Sequence, residues 1–600
     1  IDLIKRLEIK KNTKNTFFIE NLQNLVGFHW RDKKPDQWDV FDRAEKSHLE
    51  LEDDTECIAN CVLKSNEPKT TDDGYIFSYR FPDQNYKLKK GSIVFDIHAK
   101  KDIGFVLLIK EKLDDNLLEV FCPKKKDKKG NPYPIPNLPS LISVGKGYPP
   151  RTPQHELALH KFIDDYILNN GKNYKSIMDM LERNNPDVKG LKKDTILIDP
   201  NDDLNSQSIK VVKDLDNSYL TIQGPPGTGK TYTSASMIIA LIKEGKRIGV
   251  TSNSHEAIKT LLIEIEKQTS LPENKDFKFK GFRKAKKGEK KTEWKYITDA
   301  DKKPDNLDDY SLYAGTSWFF VNPQMHQSLD YLFIDEAGQV ALGTTIANAT
   351  SAKNLVLIGD QMQLSQPIRA KHNGYARKSS LDFVLENQDT IPPEKGIFLN
   401  TTRRLNKKIC KFISDSFYES RLTSHEVAGL RSVKLQLKPI EDEGIFYVPI
   451  DHNGCSQRSD EEADLVEKIF NKIINKEFKI DKTVGRISAK DIMVVAPYNA
   501  QANNIRERLN KKYKDEVKVG TIDLFQGQEA KVVLISMTTS DVESLPRHKD
   551  FFFSRNRLNV AISRAQCVAI IIFNEELLLA STNSIQEMKL INNFCKLLKF

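Results

Sequence analysis

Short apolar runs alternate with helical stretches along two long parts of the chain. In the first part the runs "YLTIQ", "RIGVTSN", "LDYLFIDEA", "KNLVLIGD" and "GIFLNTT" end in polar residues, which is typical of parallel strands that present functional side chains at their carboxyl ends. A second series follows with "GIFYVPI", "DIMVVAPY", "VKVGTIDLF", "KVVLISM" and "CVAIIIF". We therefore predict an α/β protein with two parallel-sheet domains in tandem.

The first 200 residues show a different pattern. Residues 1–70 look helical and polar, and helical texture returns at 153–183. Between them the runs "YIFSYRF", "GSIVFDI", "IGFVLLI" and "LLEVFC" are separated by turns, which indicates a small β-barrel. The pattern predicts a helical segment at 1–70, a β-barrel at 71–150, a helical stalk at 151–200 and α/β domains at 201–440 and 441–600.

Composition narrows the class of protein. The chain has a formal net charge of +9, 29% charged residues and seven cysteines without a CxxC pair, which favours a reduced, intracellular compartment. No apolar run has the length of a membrane span, and no secretory signal is visible. We interpret Cys57 and Cys61 as packing residues on a helical pattern, and we expect a cytoplasmic protein without a membrane partner.

A glycine-rich loop follows the first apolar run. The stretch "GPPGTGKT" at 224–231 has the G-x-x-x-x-G-K-T spacing, in which backbone N–H groups and a lysine bind phosphates and a hydroxyl binds Mg²⁺. A predicted helix at 232–243 presents its amino end to the anion. The residues expected to hold the nucleotide are Gly224, Pro225, Pro226, Gly227, Thr228, Gly229, Lys230, Thr231 and Tyr232, with Thr231 as a Mg²⁺ ligand.

Paired carboxylates end the run "YLFIDEAGQ". Asp335 is placed to hold Mg²⁺ through water, and Glu336 to orient or deprotonate an attacking water, because phosphoryl transfer needs mainly positioning and charge neutralisation. Gln363, in "LIGDQMQLSQP", is placed to sense the γ-phosphate or that water. Asp360 in the same run is a candidate for coupling this sensing to a neighbouring domain.

Two arginines are candidates for stabilising the transition state. Arg404 lies in "NTTRRLNKKIC" and Arg564 in "SRNRLNVAISRAQ", and a guanidinium delivered across an interdomain cleft stabilises a transferring phosphoryl group. Either one alone is also compatible with an ordinary ion pair. Between them "GTIDLFQGQE" supplies Gln526, Gly527 and Glu529, which are placed to reach the nucleotide ribose and a nucleic-acid backbone.

Residues 275–303 carry twelve Lys or Arg and five Asp or Glu. Aromatic residues are interleaved with these cations, as a groove for phosphates and stacked bases would require. A solvated lysine-rich loop is an equal alternative. The aromatic residues are Phe277, Phe279, Phe282, Trp294 and Tyr296.

An ordered set of motifs points to a known family. The stretches "LNSQ", "GPPGTGKT", "VTSNSHEAI", "YAGTS", "DEAGQ", "GDQMQLSQP", "TRRLNKKIC", "APYNAQ", "GTIDLFQGQE" and "LNVAISRA" resemble those of superfamily 1 helicases, in the group that includes the nonsense-mediated-decay helicase, senataxin and the Okazaki-fragment nuclease-helicase. The resemblance covers 200–575. It implies two RecA-like domains with ATP and Mg²⁺ between them, single-stranded nucleic acid across their top, an inserted barrel on helical stalks, and a basic insertion at 265–311.

The resemblance also assigns individual residues. Gln207 is implied to read adenine, and Arg403 replaces the family's stacking tyrosine, so that its guanidinium plane is left to stack on the base. Glu529 is implied to bind the nucleotide. The residues implied to contact nucleic acid are Ser252, Asn253, Thr316, Pro497, Tyr498, Thr521 and Gln526.

The leading hypothesis is an ATP-dependent 5′-to-3′ helicase or translocase on single-stranded DNA or RNA, with DNA favoured. It is expected to act as a monomer in the cytoplasm of a prokaryotic cell. The alternative is a nucleic-acid-stimulated ATPase that acts as a clamp or RNP remodeller without processive unwinding. A degenerate scaffold is disfavoured because all six catalytic candidates are present: Lys230, Asp335, Glu336, Gln363, Arg404 and Arg564.

Residues 25–56 further resemble the junction in bacterial and archaeal proteins that fuse a RecB-like nuclease to such a helicase. We find no complete D…E-x-K nuclease constellation in residues 1–200. The expectation is therefore that most of any nuclease module lies upstream of Ile1.

Overall fold

A computed structural model gives the fold of most of the chain. The residues that it describes are 2–65, 67–84, 86–110, 116–125, 132–192, 194–286, 289–366, 368, 370–386, 388–437, 440–525, 527–540, 553–579, 584–585, 588–589, 591–592 and 595.

The chain divides into two compact units. The larger unit comprises Ile1–Val26, Gln154–Pro367 and Asn373–Phe600, and the smaller comprises Gly27–Pro153 and Ile368–His372. Among the described residues, no helix combines the length and the apolar character that crossing a membrane requires. The α-helices of the described residues are α1 (Asp2–Lys10), α2 (Thr16–Leu25), α3 (Phe28–Glu45), α4 (Pro153–Asn169), α5 (Lys175–Leu181), α6 (Leu204–Lys213), α7 (Lys230–Lys243), α8 (His255–Thr269), α9 (Ser317–Phe320), α10 (Leu342–Ala349), α11 (Ser380–Leu385), α12 (Lys407–Phe417), α13 (Glu426–Gly429), α14 (Asp460–Ile473), α15 (Asn499–Tyr513) and α16 (Arg555–Ile562).

The smaller unit is built around a β-barrel. Its strands are β1 (Cys57–Leu63), β2 (Lys69–Thr70), β3 (Gly74–Phe81), β4 (Ile93–Asp96), β5 (Lys101–Lys110), β6 (Asn116–Pro123) and β7 (Leu141–Gly145). The antiparallel order β1-β7-β4-β5-β6-β3 closes through pairing of β3 with β1, and β2 adds to β3. Closure leaves none of these six strands as a free edge.

The predicted barrel is confirmed, but its first strand was expected to be helical. Residues 57–63 form β1, in which Ile58 and Cys61 belong to the barrel core. Cys57 and Cys61 are both fully buried, and Cys57 packs in a separate cluster with Leu51, Ala59 and Ile97. Both cysteines are packing residues as expected, but on a strand and not on a helix. A period of two was hidden because apolar residues lie on both faces of this strand.

The larger unit contains two parallel sheets. The first is formed by β8 (Tyr219–Gln223), β9 (Ile248–Thr251), β10 (Gly281–Lys284), β11 (Ile297–Ala300), β12 (Leu312–Ala314), β13 (Leu329–Ile334), β14 (Ala352–Gly359) and β15 (Gly396–Phe398). Its order is β11-β10-β12-β9-β13-β14-β8-β15, with every pairing parallel. The central strands β8, β9, β13 and β14 are almost entirely buried, as is typical of parallel strands covered by helices on both faces.

The second sheet follows along the chain. The remaining strands are β16 (Thr401–Thr402), β17 (Thr423–Ser424), β18 (Ser432–Val433), β19 (Gly444–Pro449), β20 (Glu477–Ile480), β21 (Thr483–Arg486), β22 (Ile492–Ala496), β23 (Lys518–Thr521), β24 (Ala530–Ser536) and β25 (Ala565–Phe573). The parallel order β19-β25-β24-β22-β23 forms the second sheet, while β18, β20 and β21 form a small antiparallel sheet and β16 pairs with β17. The two parallel sheets predicted from the apolar runs are thus confirmed.

The basic stretch at 275–303 contributes β10 and β11 to the first sheet. Phe279 and Phe282 are 7% and 2% exposed, and Trp294 and Tyr296 pack against the core of that sheet, as does Phe277. These aromatic side chains were expected to line a groove for bases. They pack inward because an added pair of strands needs an apolar layer of its own.

A buried ion cluster fixes the same stretch. The Arg283 guanidinium has no exposed surface and donates to Asp299 Oδ2 at 3.1 Å and to Glu289 Oε1 at 2.6 Å. Asp299 Oδ1 also accepts a hydrogen bond from Trp294 Nε1 at 2.8 Å. Arg283, one of the cations predicted to face nucleic acid, is therefore buried and paired with carboxylates within the fold.

Candidate active site

A cavity of about 800 Å³ lies in the larger unit, at the carboxyl ends of the first sheet's strands and beside loops of the second sheet. Gly527, Gln528 and Arg564 come to it from the second sheet's side. Ligands of open parallel sheets bind in this position, because loops of several strands converge there. All six side chains predicted to be catalytic line the cavity: Lys230, Asp335, Glu336, Gln363, Arg404 and Arg564.

The glycine-rich loop joins β8 to α7. Lys230 is the first residue of α7, and its Nζ donates to the carbonyl oxygen of Gly224 at 2.6 Å. A Cβ on Gly224 would lie 2.3 Å from Lys230 Cγ, so only glycine leaves room for this lysine. Gly229 precedes the helix at φ +85°, in the region that favours glycine. The loop therefore combines a lysine ammonium with the N–H groups of a helix amino end, as a phosphate site requires.

Asp335 and Glu336 follow directly after β13. Asp335 Oδ1 accepts a hydrogen bond from the Glu336 N–H at 2.9 Å. Burial and the neighbouring Glu336 carboxylate raise the pKa of Asp335 well above its ordinary value, and the Lys230 ammonium opposes this only in part. A divalent cation would relieve both effects, and the hydroxyl of Thr231 in the same cavity completes an oxygen-only donor set that suits Mg²⁺.

Gln363 is held by Asp360. Its Nε2 donates to Asp360 Oδ2 at 2.8 Å, and the Met362 N–H donates to the other carboxylate oxygen at 3.1 Å. Gln363 is 6% exposed and belongs to the cavity wall, whereas Asp360 lies behind it at 3% exposed. The burial raises the pKa of Asp360, and Lys230 opposes the increase.

Arg404 approaches the loop from the segment after β16. A Cβ on Gly227 would lie 2.4 Å from Arg404 Cβ, and the Thr402 hydroxyl donates to the Pro226 carbonyl at 2.8 Å. The Arg404 guanidinium donates through Nε to Glu529 Oε2 at 2.6 Å. Arg404 therefore touches the phosphate loop on one side and the second sheet on the other.

Arg564 lies between α16 and β25 and is 1% exposed. Its guanidinium donates to the carbonyl oxygens of Val560 and Gln528, each at 3.0 Å. Burial and the nearby Arg404 cation lower the pKa of Arg564 to about 9, while Glu336 and Glu529 act in the opposite direction. Such a buried cation at a cavity wall is placed for an anionic ligand.

Several residues predicted to bind the nucleotide lie outside the cavity lining. Gln207 forms two hydrogen bonds with the Asp199 backbone, 2.7 Å from its N–H and 2.8 Å to its carbonyl oxygen. Arg403 is exposed, and Tyr232 is half exposed. Gly224, Pro225 and Glu529 also lie outside the lining, although Gly224 contacts Lys230 and Glu529 contacts Arg404.

The residues predicted to contact nucleic acid are spread over both sheets. Ser252 and Asn253 line the same cavity as the phosphate loop. Thr316 lines a separate cavity of about 610 Å³ together with Trp318 and four lysines. Pro497 and Tyr498 follow β22, Thr521 ends β23, and Gln526 lies outside the described residues.

Sequence reasoning missed two contacts between the first sheet and α16. Arg555 donates two hydrogen bonds to the Asp389 carboxylate, at 3.0 and 2.6 Å. Tyr418 and Asn559, both fully buried, join α16 to Asp360. The available signal was a polar residue inside the otherwise apolar stretch "LNVAI" and a tyrosine after "FISDSF".

Several known proteins and two domain models resemble this chain in sequence. Two models of an AAA domain match residues 204–372 and 377–576. The DNA polymerase alpha-associated DNA helicase A of Schizosaccharomyces pombe is 28% identical over 407 residues, which cover 57% of this chain and 59% of that protein. The DNA replication ATP-dependent helicase/nuclease JHS1 of Arabidopsis thaliana is 26% identical over 432 residues, covering 66% and 30%.

The helicase sen1 of Schizosaccharomyces pombe is 29% identical over 268 residues, covering 42% of this chain and 15% of that protein. The chain thus spans less than two thirds of the length of these relatives. A solved arterivirus nonstructural protein 10 (helicase) with DNA has 14% identity over 64% of each chain at a TM-score of 0.33, too low to support a fold assignment. AAA-domain models thus match both parts of the chain that line the cavity, and the chain is similar to proteins named as a DNA helicase, an ATP-dependent helicase/nuclease and a helicase.

Proposed function

We propose that the protein is an ATP-dependent helicase or translocase that moves 5′ to 3′ on single-stranded nucleic acid. One observation carries the proposal: a single cavity joins a phosphate loop and a carboxylate pair from the first sheet to Arg564 from the second. Hydrolysis that requires both sheets depends on how they are placed, and it can therefore be coupled to movement of one sheet against the other. In this proposal the two sheets are RecA-like domains.

The residues of the cavity have separate roles in the proposed hydrolysis. Lys230 and the loop N–H groups bind the β- and γ-phosphates, and Thr231 and Asp335 hold Mg²⁺, Asp335 through water. When bound, Mg²⁺ supplies charge neutralisation at the phosphates. Burial and the neighbouring Glu336 carboxylate raise the pKa of Asp335, and a bound cation would favour its ionised form.

The remaining groups act on the attacking water and on the developing charge. Glu336 accepts a proton from water, and Gln363 orients that water. Arg404 and Arg564 donate to the transferring phosphoryl group, where a guanidinium fork fits spread negative charge. Because Arg564 belongs to the second sheet, its contribution depends on closure of the cavity.

Nucleic acid is proposed to bind across the carboxyl ends of both sheets. The supporting observation is that Thr316, Pro497, Tyr498 and Thr521 all follow or end strands of the two sheets. DNA is the favoured substrate because one matched relative is named a DNA helicase and another a DNA replication helicase/nuclease. That the protein acts as a monomer in a prokaryotic cytoplasm remains a proposal from the sequence.

The test is an ATPase assay with matched DNA and RNA oligomers that carry either a 5′ or a 3′ overhang. We expect single strands to stimulate turnover, and partial duplexes to be separated when a 5′ overhang is present. Lys230→Ala should abolish turnover, whereas Lys243→Ala at the other end of α7 should not. Turnover indifferent to single strands would contradict the proposal.

A strand-separation assay distinguishes the alternative function. If duplexes stay intact while ATP-dependent binding to single strands persists, the protein is a clamp or RNP remodeller. Separation with a 3′ overhang only would contradict the polarity and leave the helicase assignment in place.

A further inference from the structure

A buried chain of hydrogen bonds runs from the cavity wall to α16. The Tyr418 hydroxyl donates to Asp360 Oδ2 at 2.6 Å, and the same oxygen accepts the hydrogen bond from Gln363 Nε2 at 2.8 Å. The Tyr418 oxygen in turn accepts a hydrogen bond from Asn559 Nδ2 at 2.9 Å. Four side chains thus connect a residue of the ATP cavity with a helix of the second sheet.

Burial makes this chain directional. Tyr418 and Asn559 have no exposed surface. Burial and the Asp360 carboxylate raise the pKa of Tyr418 well above its ordinary value, so its hydroxyl keeps its proton. A hydroxyl has one proton to donate, and a carboxylate only accepts. Because the proton goes to Asp360, the Asn559 amide must be the donor at the other end.

The chain also reaches Arg564. Asn559 lies on α16, and its Nδ2 donates a second hydrogen bond to the Met362 carbonyl at 2.7 Å. The next residue, Val560, provides the carbonyl oxygen that accepts from Arg564 Nε at 3.0 Å. A displacement of α16 therefore moves both the Val560 carbonyl oxygen that binds Arg564 and the Asn559 amide that binds Tyr418, and through Tyr418 it also affects Asp360.

We propose that Tyr418 is a positioning residue for ATP hydrolysis, whose hydroxyl couples the orientation of the Gln363 amide to the place of the helix that anchors Arg564. Asp360 accepts one N–H of the Gln363 amide and so fixes the direction in which the carbonyl oxygen and the second N–H of that amide point. Tyr418 holds Asp360 in place through the same oxygen. The inference rests on the proposed function of the cavity.

A packing role for Tyr418 makes a different prediction. Its ring centroid lies 6.2 Å from that of Phe398 on β15, the edge strand of the first sheet. Phenylalanine at 418 would keep this ring contact and remove only the hydroxyl. Tyr418→Phe therefore tests the two hydrogen bonds of the hydroxyl while the packing of the ring is kept.

The experiment compares Tyr418→Phe with Tyr219→Phe in the full chain. Tyr219 is equally buried and donates one hydrogen bond, to the Asn184 carbonyl at 2.8 Å, so it is a matched control for the loss of a buried hydroxyl. We expect Tyr418→Phe to lower kcat of the nucleic-acid-stimulated ATPase by about tenfold, with KM for ATP unchanged. Tyr219→Phe should keep the kcat of the wild type.

Asn559→Ala tests the other end of the chain. It should lower kcat without changing KM, and the double variant Tyr418→Phe/Asn559→Ala should be no slower than the slower single variant, because both act through one path. If Tyr418→Phe fails to fold, Asn559→Ala alone decides. Wild-type kcat in either single variant, an equal loss in Tyr219→Phe, or additive losses would overturn the inference.

Failure of the proposed function would be seen separately. If nucleic acid does not stimulate the wild type, the helicase proposal fails, and basal hydrolysis then serves as the readout for Tyr418. If the wild type is stimulated and Tyr418→Phe matches it, the helicase proposal stands and the role of Tyr418 is wrong.

Discussion

At the scale of single residues, the position of Asp335 lowers the stability of the folded protein. Its carboxyl group sits beside Glu336 in a buried position, and both facts raise its pKa. The folded protein therefore binds more protons than the unfolded chain between the ordinary carboxyl value of about 4 and the raised folded value. The free energy of unfolding falls as the pH rises through this window.

Asp335→Asn should consequently stabilise the protein free of nucleotide and metal. The amide cannot ionise, so the gain in melting temperature should be present at pH 8 and vanish below pH about 4. Thermal unfolding across this pH range in the presence of a chelator measures it. Asp330→Asn on the same strand is the control, since Asp330 has Lys353 3.3 Å away. A destabilised Asp335→Asn at pH 8 would contradict the argument, and the ATPase should be lost in either case.

Arg564→Ala should lower hydrolysis far more than ATP binding. A guanidinium that acts on the transition state contributes about a hundredfold or more to kcat, whereas binding of the ground state changes little. Steady-state kinetics and titration with a non-hydrolysable analogue separate the two effects. Arg557→Ala removes a guanidinium from the same region, paired with Asp523 at 3.1 Å, and should leave kcat unchanged. Equal losses in both variants would mean that the helix, and not the charge of Arg564, is needed.

The proposed catalytic residues could be selected from the sequence because the chemistry assigned to them requires a fixed spacing. Lys230 must follow a glycine-rich turn, and Asp335 must follow an apolar strand, so both can be found in one sequence. Tyr418 could not be found in this way, since its partners Asp360 and Asn559 lie 58 and 141 residues away and share no spacing rule. Contacts of this kind depend on how the two sheets are placed.

At the level of elements, β10 and β11 extend the first sheet around a buried cation. Arg283 has no exposed side-chain surface, while Asp299 is 2% exposed in its side chain. An ion pair so deeply buried stabilises little by itself, but removal of one partner leaves the other charge unpaired. The position of both strands therefore depends on Arg283.

Arg283→Met should destabilise the protein by about 3 kcal/mol or more, because Asp299 would remain buried without its cation. Chemical denaturation monitored by the fluorescence of Trp294, which donates to Asp299, reports on this element directly. Lys280→Met, at an exposed position before β10, should cost little. A cost in Arg283→Met no larger than that of the control would show that water enters the cluster.

The sequence predicted strands best where they are buried on both faces. The run at 219–223 coincides with β8, and the run around 329–334 with β13. The basic stretch was read as a surface, because its lysines dominate the composition while its phenylalanines belong to the core. A segment that combines both needs tertiary context to be interpreted.

At the scale of the whole molecule, the net positive charge favours binding of the proposed polyanionic partner. The net charge is +9, and the cavity lined by Thr316 and Trp318 also has Lys302 and Lys303 at its edge. Two carboxylates, Asp301 and Asp305, line the same cavity and reduce its positive charge. Binding of a strand there should depend on the exposed lysines and on salt.

Lys302→Ala/Lys303→Ala should weaken binding of single strands and lower its salt dependence. Loss of two phosphate contacts reduces the slope of log K against log salt concentration by about 1.4. Fluorescence anisotropy of a labelled oligonucleotide at several salt concentrations measures the slope. Lys468→Ala/Lys472→Ala removes the same charge from exposed positions on α14. An equal change in both pairs would show that only net charge matters.

The hydrogen bonds between Gln207 and the Asp199 backbone have a consequence for the nucleotide specificity of the protein. Gln207 Nε2 donates to the Asp199 carbonyl oxygen at 2.8 Å, and Gln207 Oε1 accepts from the Asp199 N–H at 2.7 Å, so the backbone already engages one N–H and the oxygen of this amide. An adenine that paired with the same edge of the amide would have to displace both hydrogen bonds and would regain about as many, so the exchange yields little net affinity. Arg403 is exposed, at the position where the family resemblance implies a stacking tyrosine. We therefore expect the protein to accept different nucleoside triphosphates, because binding depends mainly on the phosphates and little on the base.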